Sequence, residues 1–191
     1  MNWSRSTLPG HQTAIRFRWK FRDERRKAAG RGTARIGPPD SLRFDYSGTF
    51  GLGAGAAVVV GDTVVWADPP ENFRSLVSAI PLLWAAFGMV RPPASGAAVY
   101  GRLAPPQSIW RFVDGRDTLD YVATAGSQRT LEAEWRRGGA VVARSRTLLD
   151  DHAMPLSARI DFPEAPARFE LTTVAVDTAA VIAPALWRSR R

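Results

Sequence analysis

Residues 14–21 constrain the fold of this chain more than any other segment. Large apolar residues alternate there one by one with cations: Ile15, Phe17, Trp19 and Phe21 with Arg16, Arg18 and Lys20. Successive side chains of a β-strand point to opposite faces of a sheet, whereas a helix needs a period of three to four residues. The segment is therefore predicted to be a strand with one buried aromatic face and one charged face.

The same two-residue period recurs along most of the chain. It predicts further strands at residues 30–36, 41–47, 56–60, 63–67, 99–103, 108–113, 119–123, 131–136, 141–149, 156–162 and 169–176. Short turns rich in Gly, Pro and Asp separate these segments, and short turns join antiparallel neighbours. Because each strand is apolar on one face only, we expect about eleven or twelve strands in one sheet that curls around an apolar interior.

One segment, residues 71–87, has a helical period instead. Its large apolar residues recur at spacings of three and four: Phe73, Leu76, Val77, Ile80, Leu83, Trp84 and Phe87. Pro81 cannot donate its backbone amide, so we expect a break near Ala79 and a second helical turn that starts at Pro81. Side chains just fill the interior of an eight-stranded barrel, and a curved sheet of eleven or twelve strands encloses a larger volume. One helix is available to occupy that extra volume. Packed side chains could fill the same volume, so a cavity and a filled core remain alternatives.

The net charge of +8 is confined to the start of the chain. Up to Ile36 there are ten Lys and Arg residues against two acidic ones, and the rest of the chain is balanced. A charged strand face such as that of residues 14–21 is most often simply solvated, but it can also bind anionic lipid headgroups or an acidic partner. The alternative function is a module that binds an acidic protein, a polysaccharide or nucleic acid. Nucleic acid is not expected, because the aromatic residues that would stack on bases lie on the opposite face.

No catalytic or metal-binding constellation is evident in the sequence. The chain has no cysteine, which excludes disulfides, thiolate metal sites and a cysteine nucleophile. His11 and His152 lie in polar segments, and adjacent residues such as Asp150, Asp151 and His152 on a turn rarely converge on one ion. We therefore expect a non-enzymatic protein without metal or cofactor.

Residues 43–88 resemble a known family in the order and type of their residues. A third strand leads to a glycine-rich loop with an apolar tip, a hairpin around Gly61 and Asp62, the run Trp66-Ala67-Asp68-Pro69, and a helix that contains Trp84-Ala85-Ala86-Phe87-Gly88. This pattern resembles the LolA/LolB family of lipoprotein carriers, and most of all the outer-membrane lipoprotein receptor LolB. The resemblance implies a mainly β fold with one inserted helix: an antiparallel, unclosed half-barrel of about eleven strands with a helical lid over an apolar cavity.

The resemblance also implies roles for individual residues. Acyl chains of lipids or lipoproteins would be bound and delivered to the outer membrane. The cavity would be lined by Phe17, Trp19, Phe44, Tyr46, Trp66, Trp110, Phe112, Tyr121 and Trp135. The lid would be formed by Phe73, Leu76, Val77, Ile80, Leu83, Trp84 and Phe87. Phe50 and Leu52 match the loop that contacts the membrane or the cargo.

The domain organisation and location follow from the same pattern. We expect a flexible segment at residues 1–11, one half-barrel domain at 12–178 and a basic tail at 179–191. No apolar run approaches the roughly 20 residues that cross a bilayer. On the assumption of an upstream signal, the expected location is the periplasm or the inner face of the outer membrane. The expected partners of the monomer are acyl chains, a periplasmic carrier and the anionic membrane surface.

Overall fold

Antiparallel strands form the frame of the molecule. The computed structural model describes residues 7–49, 53–73, 79–92 and 96–188. Within these ranges the strands are β1 (Thr13–Arg22), β2 (Lys27–Gly37), β3 (Ser41–Gly48), β4 (Ala54–Val60), β5 (Thr63–Asp68), β6 (Ala98–Ala104), β7 (Gln107–Asp114), β8 (Asp117–Thr124), β9 (Arg129–Arg137), β10 (Ala140–Leu149), β11 (Pro155–Phe162) and β12 (Ala167–Asp177). The α-helix, α1, comprises Ile80–Ala86, and short 3-10 helices lie at Pro70–Phe73 and Pro184–Trp187.

The strands belong to a single sheet that does not close. Its order is β5-β4-β3-β2-β1-β12-β11-β10-β9-β8-β7-β6, so chain neighbours pair throughout and β1 meets β12 in the middle. Among the described strands, β5 and β6 are the two edges. The predicted fold class is confirmed as a mainly β, antiparallel, open half-barrel with an inserted helix, built from twelve strands.

The turns alternate between two ends of the sheet, because successive antiparallel strands run in opposite directions. Residues 23–26, 115–116, 138–139 and 163–166 form turns at one end, where the segment between β5 and β6 also begins and ends. We call this the mouth end. Turns at residues 38–40, 61–62 and 125–128 form the far end.

Two glycines on β2 make room for the large aromatic rings of β1. Gly32 pairs with Phe17 and Gly30 pairs with Trp19. A Cβ atom at Gly32 would lie 2.3 Å from the Phe17 ring, and one at Gly30 would lie 2.8 Å from the Trp19 ring. The aromatic rings therefore lie directly on the neighbouring backbone, which is how this part of the sheet achieves a dense core.

Helix α1 ends in a well-defined cap. The Met89 amide donates to the Trp84 carbonyl oxygen at 3.0 Å, and the Gly88 amide donates to that of Ala85 at 2.9 Å. Gly88 has φ of 81°, so this is a Schellman motif with glycine in the left-handed conformation. The break predicted near Ala79 agrees with the start of α1 at Ile80.

The last described residues pack on the outer face of the sheet. Ile182 is buried, and its amide donates to the Gln12 side-chain oxygen at 2.5 Å. The Trp187 ring covers Gly37, whose added Cβ would lie 2.8 Å from it. Part of the predicted tail thus contacts the sheet directly. Separately, no helix in the described ranges has the length and apolar character to cross a membrane.

The inner face of the sheet as a candidate binding site

The concave inner face collects most of the aromatic residues that the sequence singled out. Strand register places the following on this face: Phe17, Trp19, Phe44, Tyr46, Trp110, Phe112, Tyr121 and Trp135. On β1, β3 and β9 the apolar residues occupy alternate positions, which is why sequence periodicity indicates the shared face of their aromatic residues. Whether these residues contact a ligand stays a prediction.

Trp66 is the exception, and its assignment to the inner face is wrong. It pairs with Val58, which pairs with Arg43 on the outer face. The Arg43 guanidinium carbon lies 5.2 Å from the Trp66 ring centroid. Strand β5 is apolar at consecutive positions, so alternation gave no face, and a bulge between Val58 and Val59 sets the register.

An aromatic cluster joins β1 and β3 to the segment between β5 and β6. The ring centroids of Phe17 and Phe44 are 5.4 Å apart, and those of Phe17 and Phe87 are 5.7 Å apart. Phe73 lies 5.8 Å from the Tyr46 ring centroid. Two residues predicted to belong to a lid, Phe73 and Phe87, therefore pack on the inner face itself.

Helix α1 is buried against the inner face. Its predicted lid residues Ile80, Leu83 and Trp84 are at most 4% exposed, and the helix packs on β9, β10 and β11. The Thr147 hydroxyl donates to the Ala85 carbonyl oxygen at 2.8 Å. In this arrangement α1 fills the interior that it covers. The other predicted lid residues, Leu76 and Val77, lie outside the described residues.

The chain that follows α1 is fixed at the far end of the sheet. The Tyr121 hydroxyl donates to the Arg91 carbonyl oxygen at 2.8 Å and accepts from the Arg91 amide at 3.3 Å. An Arg91 guanidinium nitrogen lies 3.3 Å from a carboxylate oxygen of Asp40. Trp84 donates from its indole nitrogen to the Gly61 carbonyl oxygen at 2.8 Å. Burial raises the pKa of Tyr121, so the phenol stays neutral.

A cleft opens beside the first turn of α1 at the mouth end. It has a volume of about 150 Å³ and is lined by Pro81, Phe112, Leu119 and Trp135, together with polar atoms at the β7–β8 turn. The Arg137 guanidinium carbon lies 4.8 Å from the ring centroid of half-buried Trp135. At this cleft the inner face is accessible from outside.

Some inner-face residues were missed in the sequence. Thr147 and Ser145 are buried beneath the convex surface of β10, and no described group hydrogen-bonds the Ser145 hydroxyl. The signal was present, because both alternate with Arg144 and Arg146. An apolar pattern alone does not identify them, because both side chains are small and polar. The predicted transfer-loop residues, Phe50 and Leu52, lie outside the described residues.

Acidic and histidine side chains form no site of their own within the described ranges. No group of three or more His, Asp or Glu side chains there could hold a metal ion. Asp150 accepts hydrogen bonds from the amides of His152 and Met154, each at 2.8 Å. The Asp150 to His152 segment is therefore the turn that its sequence predicts.

Comparison with known proteins rests on structure alone. No family model matches the chain, and no curated protein matches it. A LolA superfamily protein, NE2245 from Nitrosomonas europaea, superposes with a TM-score of 0.61 over 97% of this chain and 94% of that chain, at 6% sequence identity. The chain shares the fold of this LolA superfamily protein.

A second solved structure supports the same fold. A domain from Vibrio parahaemolyticus, provisionally named an outer membrane lipoprotein-sorting protein, superposes with a TM-score of 0.52 over 96% of this chain and 92% of that chain, at 9% identity. Both matches span nearly whole chains, so the shared fold is not confined to one part of the sheet. At such low identities the comparison establishes the fold and leaves function to the site.

Proposed function

We propose that the chain binds the acyl chains of lipids or lipoproteins in the cell envelope and carries them without catalysing a reaction. The observation that supports this most directly is the inner face: an aromatic and aliphatic surface of an open sheet, over which the described helix α1 lies. The LolA-like fold and the sorting role in the name of the Vibrio parahaemolyticus domain agree with it.

Binding requires movement of α1 in this proposal. The cleft of about 150 Å³ at the mouth end is smaller than the roughly 300–1,000 Å³ of typical ligand sites. The first turn of α1 borders that cleft through Pro81, whereas the chain that follows α1 is fixed at the far end through Arg91. An acyl chain would enter at Trp135 and displace α1 from the inner face while the far end stays attached.

The energetics of this exchange suit a carrier. An acyl chain gains about 0.8 kcal/mol for each CH₂ group that it buries. Displacing α1 costs part of that gain, because Ile80 and Leu83 lose their buried contacts. The net affinity is therefore moderate, which allows release to a second acceptor.

The cargo would be carried within the cell envelope. The protein would act as a monomer in the periplasm or at the inner face of the outer membrane. It would receive cargo from a periplasmic carrier and deliver it to that membrane. Phe50 and Leu52 would contact the membrane during transfer. No cofactor is needed for any of these steps.

Titration with a fluorescent fatty acid tests the binding site. Trp135→Ser removes half-buried aromatic surface at the mouth cleft and should weaken fatty-acid binding about tenfold or more. Trp66→Ser is the matched control, because it removes a half-buried tryptophan from the outer face. Circular dichroism verifies that both variants fold, and displacement by a triacylated lipopeptide tests lipoprotein cargo.

Binding that weakens in Trp135→Ser and not in Trp66→Ser supports the inner face as the site. Equal effects of both substitutions, or no binding of fatty acid and lipopeptide to the wild-type protein, would contradict the proposal.

A further inference from the structure

Six cations on the outer face of β1 and β2 have no ionic partner among the described residues; Arg35, which pairs with Asp45, is not one of them. We define the basic face by these exposed residues: Arg16, Arg18, Lys20, Arg22, Lys27 and Arg31. Within the part of the chain that the structure describes, none of the six lies within 4.0 Å of a carboxylate oxygen. Their charge is therefore available to a partner outside the chain.

The same face of the sheet is built differently from β7 to β12. There, arginines pair with acids on the same or neighbouring strands: Arg111 with Asp120, Arg144 and Arg136 with Glu134, Arg146 with Glu132, and Arg159 and Arg168 with Asp161. Two of these contacts, Arg111 to Asp120 and Arg159 to Asp161, are 2.7 Å and 2.6 Å long. Half of the outer surface is thus neutralised internally, and the basic face is not.

The basic face also places like charges directly opposite one another. Arg18 pairs across the strands with Arg31, and Arg22 pairs with Lys27 on one side and Arg168 on the other. Like charges in directly opposed positions destabilise a sheet. These opposed cations therefore do not stabilise the fold. They would, however, favour binding of an anionic surface.

We propose that the basic face docks on a lipid bilayer that contains anionic phospholipids. Several cations on a sheet face present a two-dimensional array, and each gains favourable energy near an anionic membrane surface. Stable protein interfaces are usually centred on buried aromatic or apolar anchors. The aromatic residues of β1, including Phe17 and Trp19, point to the inner face, so neither a protein hot spot nor base stacking is provided.

The position of the basic face agrees with a bilayer as the partner. Arg22 and Lys27 flank the turn at residues 23–26, which lies at the mouth end. A groove of about 420 Å³ beside this turn is lined by both residues, by Lys20 and Phe21, and by one carboxylate, Glu170, among others. Docking through this groove would bring the mouth end close to the membrane. The inference deepens the proposed carrier function and rests on it for the choice of compartment.

Vesicle flotation tests the docking surface without any cargo. The protein is mixed with phosphatidylcholine vesicles, with or without phosphatidylglycerol, at low and moderate salt. We expect binding only to the vesicles with phosphatidylglycerol, and about 30-fold weaker binding for Arg18→Gln/Arg31→Gln. The matched control is Arg102→Gln/Arg129→Gln, which removes the same charge from exposed positions on β6 and at the far-end start of β9 and should bind like the wild-type protein.

Absence of wild-type binding to phosphatidylglycerol vesicles, or equal weakening in both double variants, would overturn the proposal. Tighter binding to a single-stranded oligonucleotide than to these vesicles at the same salt would also overturn it, in favour of nucleic acid. Fatty-acid titration of the same variants should be unchanged. A protein that docks on vesicles but binds no fatty acid would contradict the carrier function and leave the docking surface intact.

Discussion

Single hydrogen-bonding side chains decide how the insert between β5 and β6 is held. Tyr121 is fully buried, and its hydroxyl satisfies both the carbonyl and the amide of Arg91. Burial is the main cause of its raised pKa, and the hydrogen bond from the Arg91 backbone opposes that effect. A single phenol on β8 therefore fixes the chain that leaves α1, and it must be neutral to do so.

Substitution of this residue gives a pH-dependent effect on stability. Tyr121→Phe should lower the free energy of unfolding by about 1–3 kcal/mol at neutral pH, because the Arg91 backbone loses its partner. The folded state holds the Tyr121 proton more tightly than the unfolded state does, whose pKa is about 10. Wild-type stability is therefore complete below pH 10 and falls above it, by up to about 1.4 kcal/mol per pH unit.

Urea unfolding at several pH values from neutral to above 10 measures this effect. The difference between the wild-type protein and Tyr121→Phe should narrow as pH rises above 10. A constant difference across that range would be inconsistent with a buried neutral phenol. Tyr100→Phe, on the exposed part of β6, controls for loss of a hydroxyl group.

At the scale of elements, the proposed function makes α1 a competitor of cargo for the inner face. The hydrogen bond from Thr147 to Ala85 exists only while α1 lies on β10. The Ala85 carbonyl oxygen also accepts from the Gly88 amide, so it keeps a partner when Thr147 is replaced. Thr147 is thus a contact that can be removed without disrupting the helix cap.

Thr147→Val should weaken the docked state of α1 selectively. We expect the free energy of unfolding to fall by about 1 kcal/mol. Fatty-acid affinity should rise up to about fivefold, because less energy is needed to displace the helix. Thermal unfolding and the fatty-acid titration measure the two quantities. Unchanged or lower affinity alongside the lower stability would argue against competition between α1 and cargo.

At the scale of the whole molecule, the sheet is divided into two electrostatic halves. Arg18 of β1 and Arg31 of β2 repel each other across the strands, whereas outer-face arginines of β7 to β12, such as Arg111 and Arg159, are paired with acids. Salt screens both kinds of interaction, and the Debye length falls from about 30 Å to about 10 Å as salt rises from 0.01 M to 0.1 M. The two halves should therefore respond to salt with opposite signs.

Salt dependence of unfolding tests this division. Relative to the wild-type protein, Arg18→Gln/Arg31→Gln should gain less stability, or lose more, over that range of salt, because repulsion has been removed. Arg111→Gln, which removes the pair with Asp120, should deviate in the other direction. The expected differences are a few tenths of a kcal/mol. Deviations of the same sign in both variants would contradict the division.

Local periodicity determined most of the architecture of this chain. Alternation in β1 predicted a strand with Phe17 and Trp19 inside, and the same reasoning placed Tyr121 and Trp135 on the inner face. The reason is that the side-chain period of a strand needs no knowledge of its neighbours. It failed at Trp66, where consecutive apolar residues and a bulge left the face to be set by strand pairing.

Only the tertiary structure decided how the interior is occupied and which charges are free. The sequence left a cavity and a filled core as alternatives, and the structure places α1 on the inner face between Thr147 and the aromatic cluster. The sequence also located the excess charge before Gly37. It did not show that Arg18 opposes Arg31, or that later arginines such as Arg111 are paired with acids. Both facts depend on contacts between residues far apart in the chain, which a local pattern does not contain.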